Sequence, residues 1–266
     1  MRQPAVAGRF YSDQPTQLQK EVAGFINVSE KKQKALGILS PHAGYIYSGA
    51  VAGAVFSAIK LPKSFIIIGP NHTGNGEIAS INSEEEWKMP GGIVKMNCRL
   101  ADIIKTKTTS IKEDSIGHRH EHSLEVQIPF IQNFLDDFDV VPICVQRIDY
   151  PTCKKIGIAI SSAIKEYDEP VLIVASSDMT HYESRSNAER KDKMAIDKIL
   201  KLDPEELYST VRNHSISMCG FIPAAIMLIA CKELGAERAE MIKYMTSGDV
   251  SGDYDQVVGY AGVVVT

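Results

Sequence analysis

The chain has no excess of positive charge: 29 Lys and Arg stand against 33 Asp and Glu, a formal net charge of −4. Without a basic footprint, nucleic acid and anionic lipid surfaces are poor partners. The five cysteines, Cys98, Cys144, Cys153, Cys219 and Cys231, are odd in number, scattered, and form no C-x-x-C pair. That excludes a disulfide framework and a zinc knuckle, so any metal site must be assembled from distant segments. No apolar run reaches the ~20 residues that cross a bilayer, and the opening MRQPAVAGRFYSDQ carries no secretory h-region. The expectation is a cytoplasmic protein with no membrane partner. GPNHTGNG lacks both the G-K-[ST] and the G-x-G-x-x-G patterns, which leaves nucleotide binding without support. SGDVSGDY lacks the ligand order of a calcium loop and reads as a turn.

What is present is a globular composition, 44% hydrophobic and 23% charged over 266 residues. Short apolar runs, ALGILS, SFIIIG, VVPICV and VLIVAS, alternate with helical stretches such as GAVAGAVFSAIK and YPTCKKIGIAISSAIKEY. This alternation predicts an α/β fold, a mostly parallel or mixed central sheet with helices on both faces. The segment SLEVQIPFIQNFL has a 3.6-residue apolar face, with Pro129 expected either to kink it or to confine its regular part. Helices are expected over 187–203 and, with Asp203 as N-cap and Pro204 next, over 203–213. A buried helix over 222–235 follows, then two closing strands, EMIKYMTS and VVGYAGVVVT. Residues 73–120 read as an insertion with local strands. With no internal repeat or low-complexity block, a single domain over 1–266 is expected.

Three apolar strands end alike: GILS runs into Pro41-His42, FIIIG into Pro70-Asn71-His72, and VLIVA into a stretch containing Asp178 and His181. In open α/β sheets, ligands bind beyond the carboxyl ends of the strands. A lone histidine there is more often a hydrogen-bonded loop residue; several delivered to one edge point to a metal centre, since imidazole suits first-row metals. Cys219 precedes a strong helix, whose N-terminus would lower a thiol's pKa and favour a coordinating thiolate. It also fits as a small buried apolar residue, the role assumed for Cys144 and Cys231. Glycine at 220 gives backbone clearance beside it. In GHRHEHSLE, His118 and His120 are expected in a solvated loop. His122 stands at a helix entry with Glu125 three residues on, an arrangement that suits capping or support for a site. Tyr45 and Tyr47 are candidate pocket walls or packing residues.

PHAGYIYSG, GPNHTG, EHSLEVQIPF, SSDMTHYE and CGFIPAA occur in this order. With them the chain resembles the Memo-like family, which includes the B component of the AmmeMemoRadiSam system. The resemblance runs from RQPAVAGRFY to VVGYAG. That family is similar to the class III extradiol ring-cleaving dioxygenases, which implies an extradiol-dioxygenase-like fold with a non-haem iron site at the strand ends. It further implies His42, His72 and Cys219 as metal ligands, His181 as the nearby base, and Asp178 as its neighbour. A thiolate would stand where the dioxygenases use a carboxylate; it suits copper or zinc as well as Fe(II) and can itself be oxidised.

Two functions follow as expectations. One is a non-haem iron or copper oxidoreductase with a dioxygenase-like site, whose parts would also serve a metal-dependent hydrolase. The other is a module binding a peptide or small anion in the same crevice, since eukaryotic relatives are linked to signalling and phosphotyrosine peptides. Partner proteins of a radical-SAM system are implied by the resemblance.

Overall fold

A computed structural model describes residues 1–26 and 32–266. Four of the apolar runs form the parallel centre of the sheet: β1 (Gly37–Ser40), β2 (Ser64–Pro70), β7 (Asp139–Val145) and β8 (Val171–Ser176). They are buried along nearly their whole length, as strands covered on both faces must be. β1 pairs with β8, β8 with β2, and β2 with β7, all parallel, so their carboxyl ends share one edge.

The flanks are mixed. β11 (Val257–Val265) lies antiparallel to β1, and β10 (Ala239–Thr246) antiparallel to β11, as the two closing strands. Beyond β7 come β3 (Ala79–Ile81) and β6 (Lys112–Glu113). The hairpin β4 (Trp87–Met89) and β5 (Gly92–Met96) joins through β5 to β7, and β9 (His181–Glu183) pairs with β11. The described residues thus form an eleven-stranded mixed sheet.

Side chains alternate along each strand, and the two faces take different helices. Ile66 and Ile68 point into a core closed by α3 (Cys98–Lys107), α5 (Tyr150–Tyr167), α6 (Arg185–Leu200), α7 (Pro204–Asn213) and α8 (Phe221–Glu233). Phe65 and Ile67 point the other way, into a core closed by α1 (Pro15–Phe25), α2 (Tyr45–Ser57) and α4 (Ile128–Phe134). This is the α/β architecture expected from the alternation of runs, with helices on both faces.

Local signals fare differently. Asp203 caps α7, its side chain accepting from the Glu206 N–H. Pro129 sits in the first turn of α4, so only Ile128–Phe134 is α-helical and Glu125–Gln127 is a 3₁₀ turn. The 73–120 segment does carry local strands, but it also holds α3, started by Asn97, whose side chain accepts from the Leu100 N–H at 2.8 Å. The SGDVSGDY turn contains a short helix, α9 (Gly248–Ser251). Among the described residues, no helix is long and apolar enough to cross a membrane.

Candidate metal centre

The parallel pairing sets the geometry. Ser40 at the end of β1 faces Ser176 at the end of β8, so the Pro41-His42 and Ser177-Asp178 turns leave the sheet side by side. His72 leaves β2 at the same edge, and His122 arrives from the loop before α4. One ring nitrogen from each of His42, His72 and His122 lies within 4.8 Å of the others, the one such group of three found among the described residues. The His72 and His122 rings stack at 4.7 Å, and His42 meets each nearly at right angles.

Each ring is oriented from behind. The Ser176 hydroxyl donates to the Ser123 carbonyl at 2.6 Å, so it must accept from His42 Nδ1, 2.9 Å away. His42 therefore carries its proton on Nδ1 and keeps Nε2 unprotonated, with the sulfur of Cys219 beside it. Burial first, then His72, His122 and His181 around it, hold its pKa well below the ordinary value, so it is neutral. Glu121, fully buried, takes four N–H groups: the backbones of His72, His122 and Ser123, and His72 Nδ1 at 2.9 Å. Burial alone would raise its pKa; these partners, His72 above all, bring it down to about 2. A carboxylate only accepts, so Nδ1 of His72 donates and Nε2 faces away from the carboxylate. Burial pulls the His72 pKa down, but the bond and charge of Glu121 outweigh it and the net direction is up. His122, half-buried against Phe10, is lowered, chiefly by burial.

The predicted site residues separate on this frame. Cys219 stands beside His42 with Sγ 3.1 Å from Nε2, and it accepts the Asp178 N–H at 3.3 Å, yet it lies outside the three-histidine group. The expected lowering of its thiol pKa by the α8 N-terminus is not found: burial, then the Asp178 carboxylate, push it well above the ordinary thiol range. Asp178 is buried, which raises its pKa to about 6, while its Oδ1 accepts the His42 N–H at 2.8 Å. His181 is held twice by Ser217, its N–H donating to Oγ and its Nδ1 to the carbonyl, which leaves Nε2 as the bare nitrogen. His42, His72, His122, Asp178, His181 and Tyr47 line one cleft of about 560 Å³.

Tyr45 does not line it. It is a core residue whose hydroxyl donates to the Val126 carbonyl at 2.7 Å, packed against Tyr11 and Phe130. Glu125 does not touch His122 either. It forms a buried ion pair with Arg2 at 2.6 Å and accepts from the Ala5 and Val6 backbones and the Tyr11 hydroxyl, so it anchors the N-terminal segment. His118, expected in a solvated loop, is fully buried.

Sequence reasoning missed Glu121, whose one local signal is an acid immediately before His122, and Tyr182 at the cleft mouth. Tyr182 is exposed and adopts φ 58°, a left-handed conformation that costs an L-residue roughly 1–2 kcal/mol. Its ring meets that of His181 edge-on, with centroids 5.9 Å apart.

The donor set fits a metal ion. It offers neutral or neutralisable imidazoles, two of them with Nδ1 tied to an oxygen so that Nε2 is presented, the back-support that metal-binding histidines require. Glu121 is a carboxylate–histidine partner of this kind.

Comparisons with known proteins agree along the whole chain. A family model described as Memo-like protein matches residues 2–264. A MEMO1 family protein of Methanosarcina barkeri is 42% identical over 267 residues, covering all of both chains. A MEMO1 family protein of Aquifex aeolicus is 40% identical over 268 residues, covering 99% of this chain and 98% of its own. Among solved structures, an uncharacterized protein of Escherichia coli K12 shares the fold at a TM-score of 0.54 and 9% identity, covering 87% of this chain and 100% of its own. A match that spans the chain from its second residue nearly to its last, with relatives of equal length at two-fifths identity, makes this protein a member of the Memo-like family.

Proposed function

We propose that the cleft binds a first-row metal ion, iron(II) in the first instance, and works as a non-haem, dioxygenase-like oxidoreductase centre. The observation that carries this reading is the convergence of the His42, His72 and His122 ring nitrogens within 4.8 Å. A bound metal would supply Lewis acidity and electron transfer at that point. His42, His72 and His122 would hold it, with Cys219 next to His42 as a further donor. Copper and zinc suit the same set, because imidazole serves all three metals and a thiolate favours copper(I) and zinc.

The chain's own residues add proton handling. His181 Nε2 is free to take a proton from a ligand in the cleft, since Nδ1–H is spent on the Ser217 carbonyl. Asp178, with one oxygen held by the His42 backbone, is a buried carboxyl able to hold a proton near neutral pH. The likeness of the family to extradiol dioxygenases supports redox use of such a site.

Reconstitution under nitrogen followed by elemental analysis tests the reading. Stoichiometric iron in the native protein, lost in His42→Ala and in His72→Ala with circular dichroism unchanged, is the expected result. Retention of the metal by the double alanine variant sinks it. A second reading, docking of a peptide or small molecule on the same cleft, is favoured by the exposed rings of Tyr47 and Tyr182 at its mouth. Ligand capture by metal-free protein would favour that reading.

A further inference from the structure

The segment linking α7 to α8, together with the first turn of α8, serves two cavities. On one side it supplies Ser217, which holds His181, and Cys219, which meets His42. On the other, Ser215, Ile216, Phe221 and Ile222 line a second cavity of about 460 Å³ that shares no lining residue with the first cleft. Ser215 takes φ 48°, a left-handed residue just after the end of α7, and the two sets then alternate along the chain, with Ser217 and Cys219 between Ile216 and Phe221.

The second cavity is built of two chemistries. Its floor is apolar: Val211, Ile216 and Ile222 are buried, and the Tyr208 and Phe221 rings lie 5.4 Å apart. Its rim carries Arg147, just beyond the end of β7, and Arg212 in the last turn of α7. Arg147 has no ion pair or side-chain hydrogen bond among the described residues. Arg212 donates to the Tyr208 hydroxyl at 3.0 Å and meets no carboxylate. The Tyr208 hydroxyl is itself tied to the Ile148 carbonyl, which fixes the ring against the floor. Asp149 is the one acid in the lining, and its Oδ1 is committed to the Thr152 N–H at the start of α5. Two guanidinium groups against one carboxylate leave a single positive charge, a match for a monoanion.

We propose that this cavity is a second binding site, for a small organic acid whose apolar or aromatic body packs on Tyr208 and Phe221 and whose carboxylate lies between Arg147 and Arg212. Planar guanidinium groups pair with carboxylates through two parallel N–H donors, which gives such a site orientation as well as affinity. Occupancy is felt at the first cleft through Ser217, because residues 215–222 form a wall of one and carry the supports of the other. The proposal stands whether or not the first cleft holds a metal.

The test is titration of the full chain with 3-phenylpropanoate, followed by amide and histidine-ring resonances. The expected result is saturable binding, with shifts at Arg147 and across 215–222 and movement of the His181 ring. Arg147→Gln and Arg212→Gln should each weaken binding at least about tenfold, the loss typical of a charge-assisted pair. The neutral 3-phenylpropanol and the bodiless acetate should both bind more weakly than the acid. Unchanged affinity in both arginine variants, shifts centred on His42 and His72, or no saturation in the millimolar range overturns the site. Saturable, arginine-dependent binding with a stationary His181 ring overturns its link to the first cleft.

Discussion

His118 is sealed from solvent, with Nε2 3.2 Å from the Ser80 carbonyl and the Arg2 guanidinium close by. Burial, and after it the Arg2 charge, lowers its pKa to about 4 against 6.5 for the free side chain. The folded state thus keeps His118 neutral, while the unfolded chain takes a proton as pH drops through 6.5. Its contribution to stability is complete above that value and is lost down to about pH 4, a total on the order of 3 kcal/mol. His118→Asn should remove that share, so that the difference in unfolding free energy between about pH 7.5 and about pH 4.5 narrows in urea titrations. A variant with the native pH slope would show that the burial of this ring is unimportant. Nothing local in GHRHEHSLE marks the residue as buried: Arg2 and Trp87 cover it from distant parts of the chain. The same limit hid Glu121, whose partner His72 is 49 residues away. His42, His72 and His181 were legible because each follows an apolar strand that is visible by itself.

Between strands and helices, the turns carry the site, and they are tight. A Cβ on Gly220 would stand 2.2 Å from the Ser176 carbonyl oxygen and 2.5 Å from Ser177 Cβ, so only glycine lets the start of α8 approach the end of β8. Gly220→Ala should cost about 1–3 kcal/mol, as overpacking does, and push Cys219 off His42. A lower melting temperature together with faster thiol labelling at Cys219 is the expected pair of results; unchanged labelling would mean that the turn yields elsewhere. The glycine after Cys219 was readable as clearance, though what it clears was not. Helix α3 escaped notice for a different reason. Its buried Leu100, Ala101 and Ile104 are set among lysines and threonines that continue past its end, so the apolar face is narrow. Pro129 leaves two outcomes open from sequence, a kink or a shortened helix, and the second holds: the α-helix starts at Ile128 after a 3₁₀ turn.

Taken as a whole, the molecule ties its first residues to its functional edge. Arg2 pairs with Glu125 and donates to the carbonyls of His118 and Glu121, while Glu125 receives the Ala5 and Val6 backbones. Arg2→Met leaves the Glu125 carboxylate buried without its cation, and a loss of about 3–5 kcal/mol is expected. Weaker metal retention should accompany it, because the carbonyl of Glu121 loses its tether; calorimetry and metal titration read the two effects separately. The α/β class was legible from run alternation, but the strand order was not. β1 finds β8 and β11 rather than its neighbour in sequence, and long-range pairings of this kind leave no local trace. The hydroxyl of Ser176 keeps Nε2 of His42 unprotonated, so a metal bound there displaces no proton from that ring. Loading the cleft at alkaline pH, where the imidazoles are already neutral, draws no proton from the side chains if nitrogen alone coordinates, so Cys219→Ser releases the same acid as the native chain; if the sulfur joins, the native chain releases one equivalent more. Heats of loading compared across buffers of different ionisation enthalpy therefore turn the identity of the ligands into a tally of released acid.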